Sequence, residues 1–307
     1  MGFVQATQIV FLPCKFFGIL LVNLKNPKND SHSKSLLFWK LKGILIMLVS
    51  MGFFLRNLFY FPLVTLKDLV ELGQYLSFIF VSWSIFHVTM CRSQASKQLY
   101  IKFYDLSEHS FYSETNFRSV SVFCKFLTFL AFLIQIELIY LMLPYFVNTE
   151  LFQLLTILFS VWITNVHVYY TYLIIAYIFL LSLYLSEINK FLNNNFIHRK
   201  LLRTLINIYT KIFKLSDDLI SIFDIYLLLY LIGNFFWIMW IMYSKIYIWV
   251  EMGFISPIEI FDFIKSIFLS SVSIGVLLWI CSKTKNMVSF NWILSLFKYK
   301  MVRSPLI

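Results

Sequence analysis

The chain has 307 residues, 60% of them hydrophobic and only 13% charged, about half the charged share of a soluble domain. A domain of this size cannot hide so much apolar surface from water, whereas lipid accepts it as solvent, so a soluble globular protein is excluded. The net charge of +11 does not mark a nucleic-acid binder, because the basic residues sit between apolar runs and form no patch among polar readers.

Residues 1–42 read as a basic, cytosolic N-terminal arm. Within it the apolar stretch from Ile9 to Leu24 is interrupted by Pro13 and Lys15 and lacks the basic leader of a signal peptide, so an interfacial helix is expected. Six apolar runs follow, each meeting the roughly 20 residues that a bilayer requires: 43–63, 74–91, 123–146, 151–183, 219–250 and 259–281. The expected fold class is all-α, a polytopic transmembrane helix bundle over 43–281, with a cytosolic tail over 282–307. The fourth and fifth runs exceed what lipid needs. Tilt absorbs part of the excess and helical continuation into the cytosol, over about 184–218, absorbs the rest.

That continuation carries a pattern. Leu201, Leu205, Ile208, Ile212, Leu215, Leu219 and Ile222 recur at alternating spacings of four and three, with Arg203, Lys211, Lys214 and Asp218 on other faces. Such a stripe needs a helical partner, supplied either within one subunit or by a second one. Asn193-Asn194-Asn195 marks the break between the two helices.

The basic residues set the orientation. Six lie in the N-terminal arm, four in the second connection, six in the fourth and five in the tail. These twenty-one share one side, against Lys67 and Lys245 on the other. This bias places the N-terminus in the cytosol, opposite to rhodopsin-like receptors. Cys14, Cys91, Cys124 and Cys281 then lie on the reducing side, too far apart in sequence for a metal motif and not expected to pair. The sequon Asn29-Asp30-Ser31 also faces inward and should stay unmodified.

The chain shows no phosphate-binding loop, zinc-protease motif or nucleophile elbow, and few ionisable groups fall within spans. No enzyme, metal or cofactor is expected. Arg56 and Glu137 fall at similar depth in the outer halves of the first and third spans, where a charge pair would lower their burial cost. Lys265 and Asp262 lie near an outer end. Trp162, Asn165, Tyr169 and Tyr172 share one helical face of the fourth span. Asn234, Trp237, Trp240 and Ser244 gather on the fifth, while Trp83 and His87 stand a turn apart on the second. Aromatic walls with a few convergent polar groups suit a small-molecule pocket. The ligand-binding candidates are therefore Trp83, His87, Glu137, Trp162, Asn165, Tyr169, Asn234, Trp237 and Trp240. In so aromatic a chain the same stripes also serve ordinary bundle packing, and His87 reads first as a core histidine.

The C-terminal half carries Phe213-Lys214-Leu215-Ser216, Tyr230-Leu231-Ile232-Gly233-Asn234 and Cys281-Ser282-Lys283-Thr284-Lys285-Asn286, in that order. With these stretches it resembles the insect gustatory receptor family. At the other end, Pro13, Phe17-Gly18 and Leu20-Leu21 are similar to the family's short opening helix. The resemblance implies a chemoreceptor in the plasma membrane, a subunit of a homo- or hetero-tetrameric ligand-gated cation channel. It implies an outward-facing pocket for a bitter-type or other small-molecule tastant, with the lipid bilayer as surroundings. It also implies a last, pore-lining span with a Thr-Tyr, five residues, Gln-Phe signature. The sequence ends at Arg303-Ser304-Pro305-Leu306-Ile307 before such a span, so a C-terminally truncated member or a genuine short isoform is expected. Thr171-Tyr172 with Ile178-Phe179 echoes the signature only by chance, since it lies in the fourth span. The sister odorant receptors share the topology. A small transporter or intramembrane enzyme is the remaining alternative, though no internal repeat or mid-span proline supports it.

The orientation makes a direct prediction. An epitope placed ahead of Met1 stays inaccessible to antibody on intact cells and becomes accessible on permeabilisation. Labelling of intact cells would reverse the topology.

Overall fold

The computed structural model describes residues 2–17, 19, 20, 22, 65–108, 114–146, 151–194 and 199–252, with further positions scattered over 37–55 and 257–284. Among the described residues there is helix and no strand, as expected where a helix satisfies its backbone groups internally. The elements are α1 (Phe3–Phe16), α2 (Leu66–Cys91), α3 (Ser93–Ser107), α4 (Glu114–Phe146), α5 (Leu151–Asn194) and α6 (Arg199–Met252). By length and composition, three segments among the described residues can cross a membrane: Phe117–Ile136 in α4, Thr164–Phe191 in α5 and Arg203–Tyr243 in α6. The chain is thus a helical protein built for a membrane. Of the expected runs, 43–63 lies largely and 259–281 partly outside the described residues; their described positions are helical.

α5 is the axis of the bundle. Of its apolar window 78% is buried, against 33% for α4 and 22% for α6. From Tyr170 to Ile178 every residue is buried, so this stretch has neighbours on all sides. A helix that is apolar all round belongs in such a position. α6 and α4 instead turn apolar side chains outward. Ile225, Leu228, Ile232 and Phe235 are exposed on α6, and Phe129, Phe132 and Ile136 on α4, as lipid-facing surfaces would be.

α1 departs from expectation. It starts at Phe3, well before Ile9, and ends at Phe16 with Pro13 inside its last turn. It does not lie apart from the bundle but runs along α4 and α5. At its start the Phe3 ring meets Tyr100, Tyr104 and Phe117 at 5.6, 6.1 and 6.3 Å. In its middle Phe11 meets Tyr177 at 5.4 Å, and just past its end Phe17 meets Tyr169 and Trp162 at 5.4 and 4.9 Å. The contacts climb α5 backwards, so α1 is antiparallel to α5 and parallel to α4. The physical reason is one continuous buried stripe of Phe3, Ala6, Thr7, Val10, Phe11 and Cys14. These positions fall on one helical face, and small Ala6 and Cys14 allow a close approach. Lys15 and Cys14, assigned to a cytosolic arm by the sequence pattern, are carried up the bundle with it.

α2 starts eight residues earlier than the run at 74–91. Thr65 caps it, its hydroxyl accepting from the Asp68 N–H at 3.2 Å while the Asp68 carboxylate accepts from the Thr65 N–H at 2.7 Å. This reciprocal cap satisfies two otherwise orphaned donors. α3, placed in a connection by the sequence pattern, is an amphipathic helix with Ser96, Leu99, Tyr100, Phe103 and Leu106 buried. Phe103 stacks on Tyr177 at 4.8 Å, and its carbonyl accepts from the Tyr184 hydroxyl at 3.2 Å. Burial raises the Tyr100 phenol above its ordinary value, and Tyr104 adds to the shift, so it stays neutral.

Two long helices meet near the asparagines, as expected: α5 ends at Asn194 and α6 begins at Arg199. The apolar stripe from Leu205 to Ile222 is buried inside the chain. Its partner is therefore intramolecular. Lys102 on α3 pairs with Asp218 of α6 at 2.5 Å, and Arg92 reaches the Ser221 carbonyl and, at 3.9 Å, Asp224. Exposed pairs of this kind contribute little stability and mainly fix register.

The α2–α6 contact depends on Gly73. A Cβ there would stand 2.8 Å from the Phe236 ring, so the two helices approach this closely only because the side chain is absent. Gly73→Val should cost about 1–3 kcal/mol, read as a lowered unfolding temperature in detergent. Gly275→Val, facing open space, should stay within about 0.5 kcal/mol. Equal effects would argue against the close approach.

Candidate functional site

The C-terminal end of α1 stops short of the full height of the bundle, and a cavity lies where it ends. Leu12, Pro13, Lys15, Phe16 and Phe17 line it from this end, Gln135 and Ile139 from α4, and Val161, Asn165 and Tyr169 from α5. Its volume is about 720 Å³, within the roughly 300–1,000 Å³ typical of small-molecule sites. Three polar side chains meet at its wall. Gln135 Nε2 donates to Asn165 Oδ1 at 2.8 Å and to the Tyr169 hydroxyl oxygen at 3.4 Å. Asn165 Nδ2 donates in turn to the Val161 carbonyl at 2.9 Å. In surroundings of low dielectric constant such bonds hold their groups firmly, because water cannot compete for them.

An aromatic layer supports the trio. Phe17 stacks on Tyr169 and meets Trp162 edge-on, while Phe16 lies 5.9 Å from Trp162. Below it, the Cys14 thiol donates to the Tyr169 carbonyl at 3.4 Å. α1 ends here because Phe17, Ile19 and Leu20 return their N–H groups to the carbonyls of Pro13 and Cys14, a C-terminal closure that satisfies otherwise orphaned acceptors.

Of the residues singled out by spacing, the structure brings Asn165 and Tyr169 into this cavity and sets Trp162 behind it. Tyr172, assigned to the same face, is instead fully packed in the core. The others are not gathered here. Trp83 is exposed on α2, beside Phe86 at 5.7 Å, and His87 is half-buried one turn on. Asn234 donates to the Tyr230 carbonyl within its own helix, and Trp237 lies 5.4 Å from Trp240 on α6. The side chains of Glu137 and Ser244, together with Arg56 and Asp262, lie outside the described residues. Lys265 sits 5.0 Å above the Tyr140 ring of α4, a favourable cation–π contact.

The sequence pattern passed over Gln135 and the whole contribution of α1. Gln135 is a lone amide in an apolar run. A signal for it exists: an uncharged polar residue in a span is expensive unless it meets a partner, and Asn165 is such a partner. A second buried polar cluster was also passed over. Ser82 Oγ and His167 Nε2 are 3.1 Å apart, and the hydroxyls of Thr171 and Tyr226 are 2.6 Å apart. Both hydroxyl oxygens also lie within hydrogen-bond distance of the His167 carbonyl, at 2.9 and 3.2 Å, and their two protons serve two of these three contacts. This cluster ties α2, α5 and α6 together. Among the described residues no group of three or more His, Cys, Asp or Glu stands ready to hold a metal ion.

A double-mutant cycle over Gln135→Leu and Asn165→Leu should show coupling of about 0.5–1.5 kcal/mol in unfolding free energy. Additive single effects would mean that the pair is not formed.

No family model, curated protein or solved structure matches the chain. The reading of the site therefore rests on its own geometry.

Proposed function

We propose that this chain is a gustatory-type chemoreceptor, a subunit of a ligand-gated cation channel that detects a small-molecule tastant. The observation that carries the reading is the cavity at the end of α1, with aromatic and aliphatic walls, a hydrogen-bonded cluster of two amides and one phenol, and Lys15 in its lining. A receptor site needs this combination: apolar area for affinity and a few immobile polar groups for discrimination. The residues quoted for the gustatory family, and the topology they imply, support the same reading. In it the chain crosses the plasma membrane six times with its N-terminus in the cytosol, since the basic residues crowd one side. It assembles as a homo- or hetero-tetramer with other chemoreceptor subunits.

The test is electrical. The chain is expressed in heterologous cells, alone and together with a conducting chemoreceptor subunit, and a panel of bitter alkaloids and sugars is applied. The reading expects a tastant-evoked cation current that survives G-protein blockade and falls at least about tenfold in sensitivity with Asn165→Leu. A current abolished by G-protein blockade, or none in either setting with the chain at the cell surface, would overturn it.

A further inference from the structure

We propose that the cavity between α1, α4 and α5 takes a single-chain amphiphile with an anionic head group, entering from the lipid. The inference rests on reading this cavity as the ligand site and names the chemistry of what fills it.

Three observations carry it. The first is charge. Lys15 lines the cavity, and none of the ten described lining residues is acidic. A cation lining the same cavity as Gln135, which lies near the end of the membrane-length segment Phe117–Ile136, is costly without a partner of opposite sign. The C-terminal end of α1 offers only partial compensation. A helix terminus is equivalent to about −0.5 charge, and here the carbonyls of Pro13 and Cys14 already accept backbone N–H groups. Among the described lining residues no acidic side chain meets this charge, which is left to the occupant.

The second is the hydrogen-bond ledger. Gln135 uses its amide nitrogen on Asn165 and Tyr169, and Tyr169 enters that bond as an acceptor. Its own O–H proton is then available to the cavity, whose lining also includes Lys15. Two donors, one of them charged, are what a carboxylate or phosphate oxygen pair accepts.

The third is the mouth. Leu12, Phe16 and Ile139 line the cavity and are each about half exposed. Ile139 belongs to α4, whose Phe129, Phe132 and Ile136 carry the outward apolar surface. An opening rimmed this way faces hydrocarbon, so molecules that partition into the bilayer reach it most readily. Head and chain have separate places. The head lies at Lys15 and Tyr169, and the chain lies along Leu12, Phe16, Ile139 and Val161.

Dodecanoate, dodecanol and dodecyltrimethylammonium share a chain and differ in head charge. The full chain in phosphatidylcholine nanodiscs is photolabelled with a diazirine-bearing dodecanoate, and the labelled peptides are mapped by mass spectrometry. The proposal expects saturable labelling around residues 12–17 and 161–169, with dodecanoate competing at least about tenfold better than dodecanol. The ammonium competes least. Lys15→Gln removes the preference for dodecanoate and Lys15→Arg keeps it. Equal competition by dodecanoate and dodecanol in the unmodified chain overturns the anionic assignment and leaves a ligand pocket standing; this comparison needs no variant to fold. No saturable labelling of these peptides overturns the pocket reading as well. Native mass spectrometry with added lysophosphatidylglycerol separates the sources. A retained lysophospholipid displaced by dodecanoate assigns the anionic head to a membrane lipid, and none retained assigns it to a free amphiphile.

Discussion

A long helix can be buried on every side only if something fills each side, and for α5 the decisive filler is α1. Fourteen residues at the start of the chain lie between α4 and α5, held by rings that meet Tyr100, Phe117, Tyr177 and Tyr169 in succession. Within lipid, burial of apolar surface gives helices little reason to associate, so close packing has to supply it. The stripe Phe3, Ala6, Val10, Phe11 and Cys14 provides that packing, with small side chains where backbones approach and large rings where gaps remain. The same insertion decides where the cavity lies, because it begins where α1 stops.

Much of this architecture was legible in advance. Long apolar runs announce membrane helices, the asparagine triplet separates α5 from α6, and the stripe ending at Ile222 marks a buried face. Each of these signals is local and periodic. What escaped was non-local or short. α1 looked like a surface element because Pro13 and Lys15 break its hydrophobicity. Its burial depends on Tyr177 and Tyr169, more than 150 positions away. α3 hid among charges because its apolar positions are only every third or fourth residue. The start of α2 was carried by the Thr65–Asp68 cap, which charge density nearby obscured.

The same division holds at the site. Helical spacing placed Asn165 and Tyr169 on a common face, and they do share the cavity. It placed Tyr172 there as well, yet Tyr172 is enclosed by core. Spacing says which residues lie on a face and not what that face meets. Gln135 becomes meaningful only once α4 is set beside α5 so that its amide reaches Asn165. Lys15 becomes meaningful only once α1 is raised into the bundle. Both are polar groups that an apolar environment makes expensive, and the cavity is where their expense has a use.

The most direct test of this account is the position of α1 against α4. Spin labels are placed at Phe16 and at either Ile136 or Arg118, all exposed positions, with the native cysteines replaced, and distances are read by pulsed dipolar spectroscopy in nanodiscs. Ile136 and Arg118 are separated by roughly 27 Å of helix. The account predicts a short Phe16–Ile136 distance, with the Phe16–Arg118 distance longer by more than about 10 Å. Equal distances, or Phe16 nearer to Arg118, would leave α1 lying across the membrane surface and contradict both the insertion and the cavity it creates.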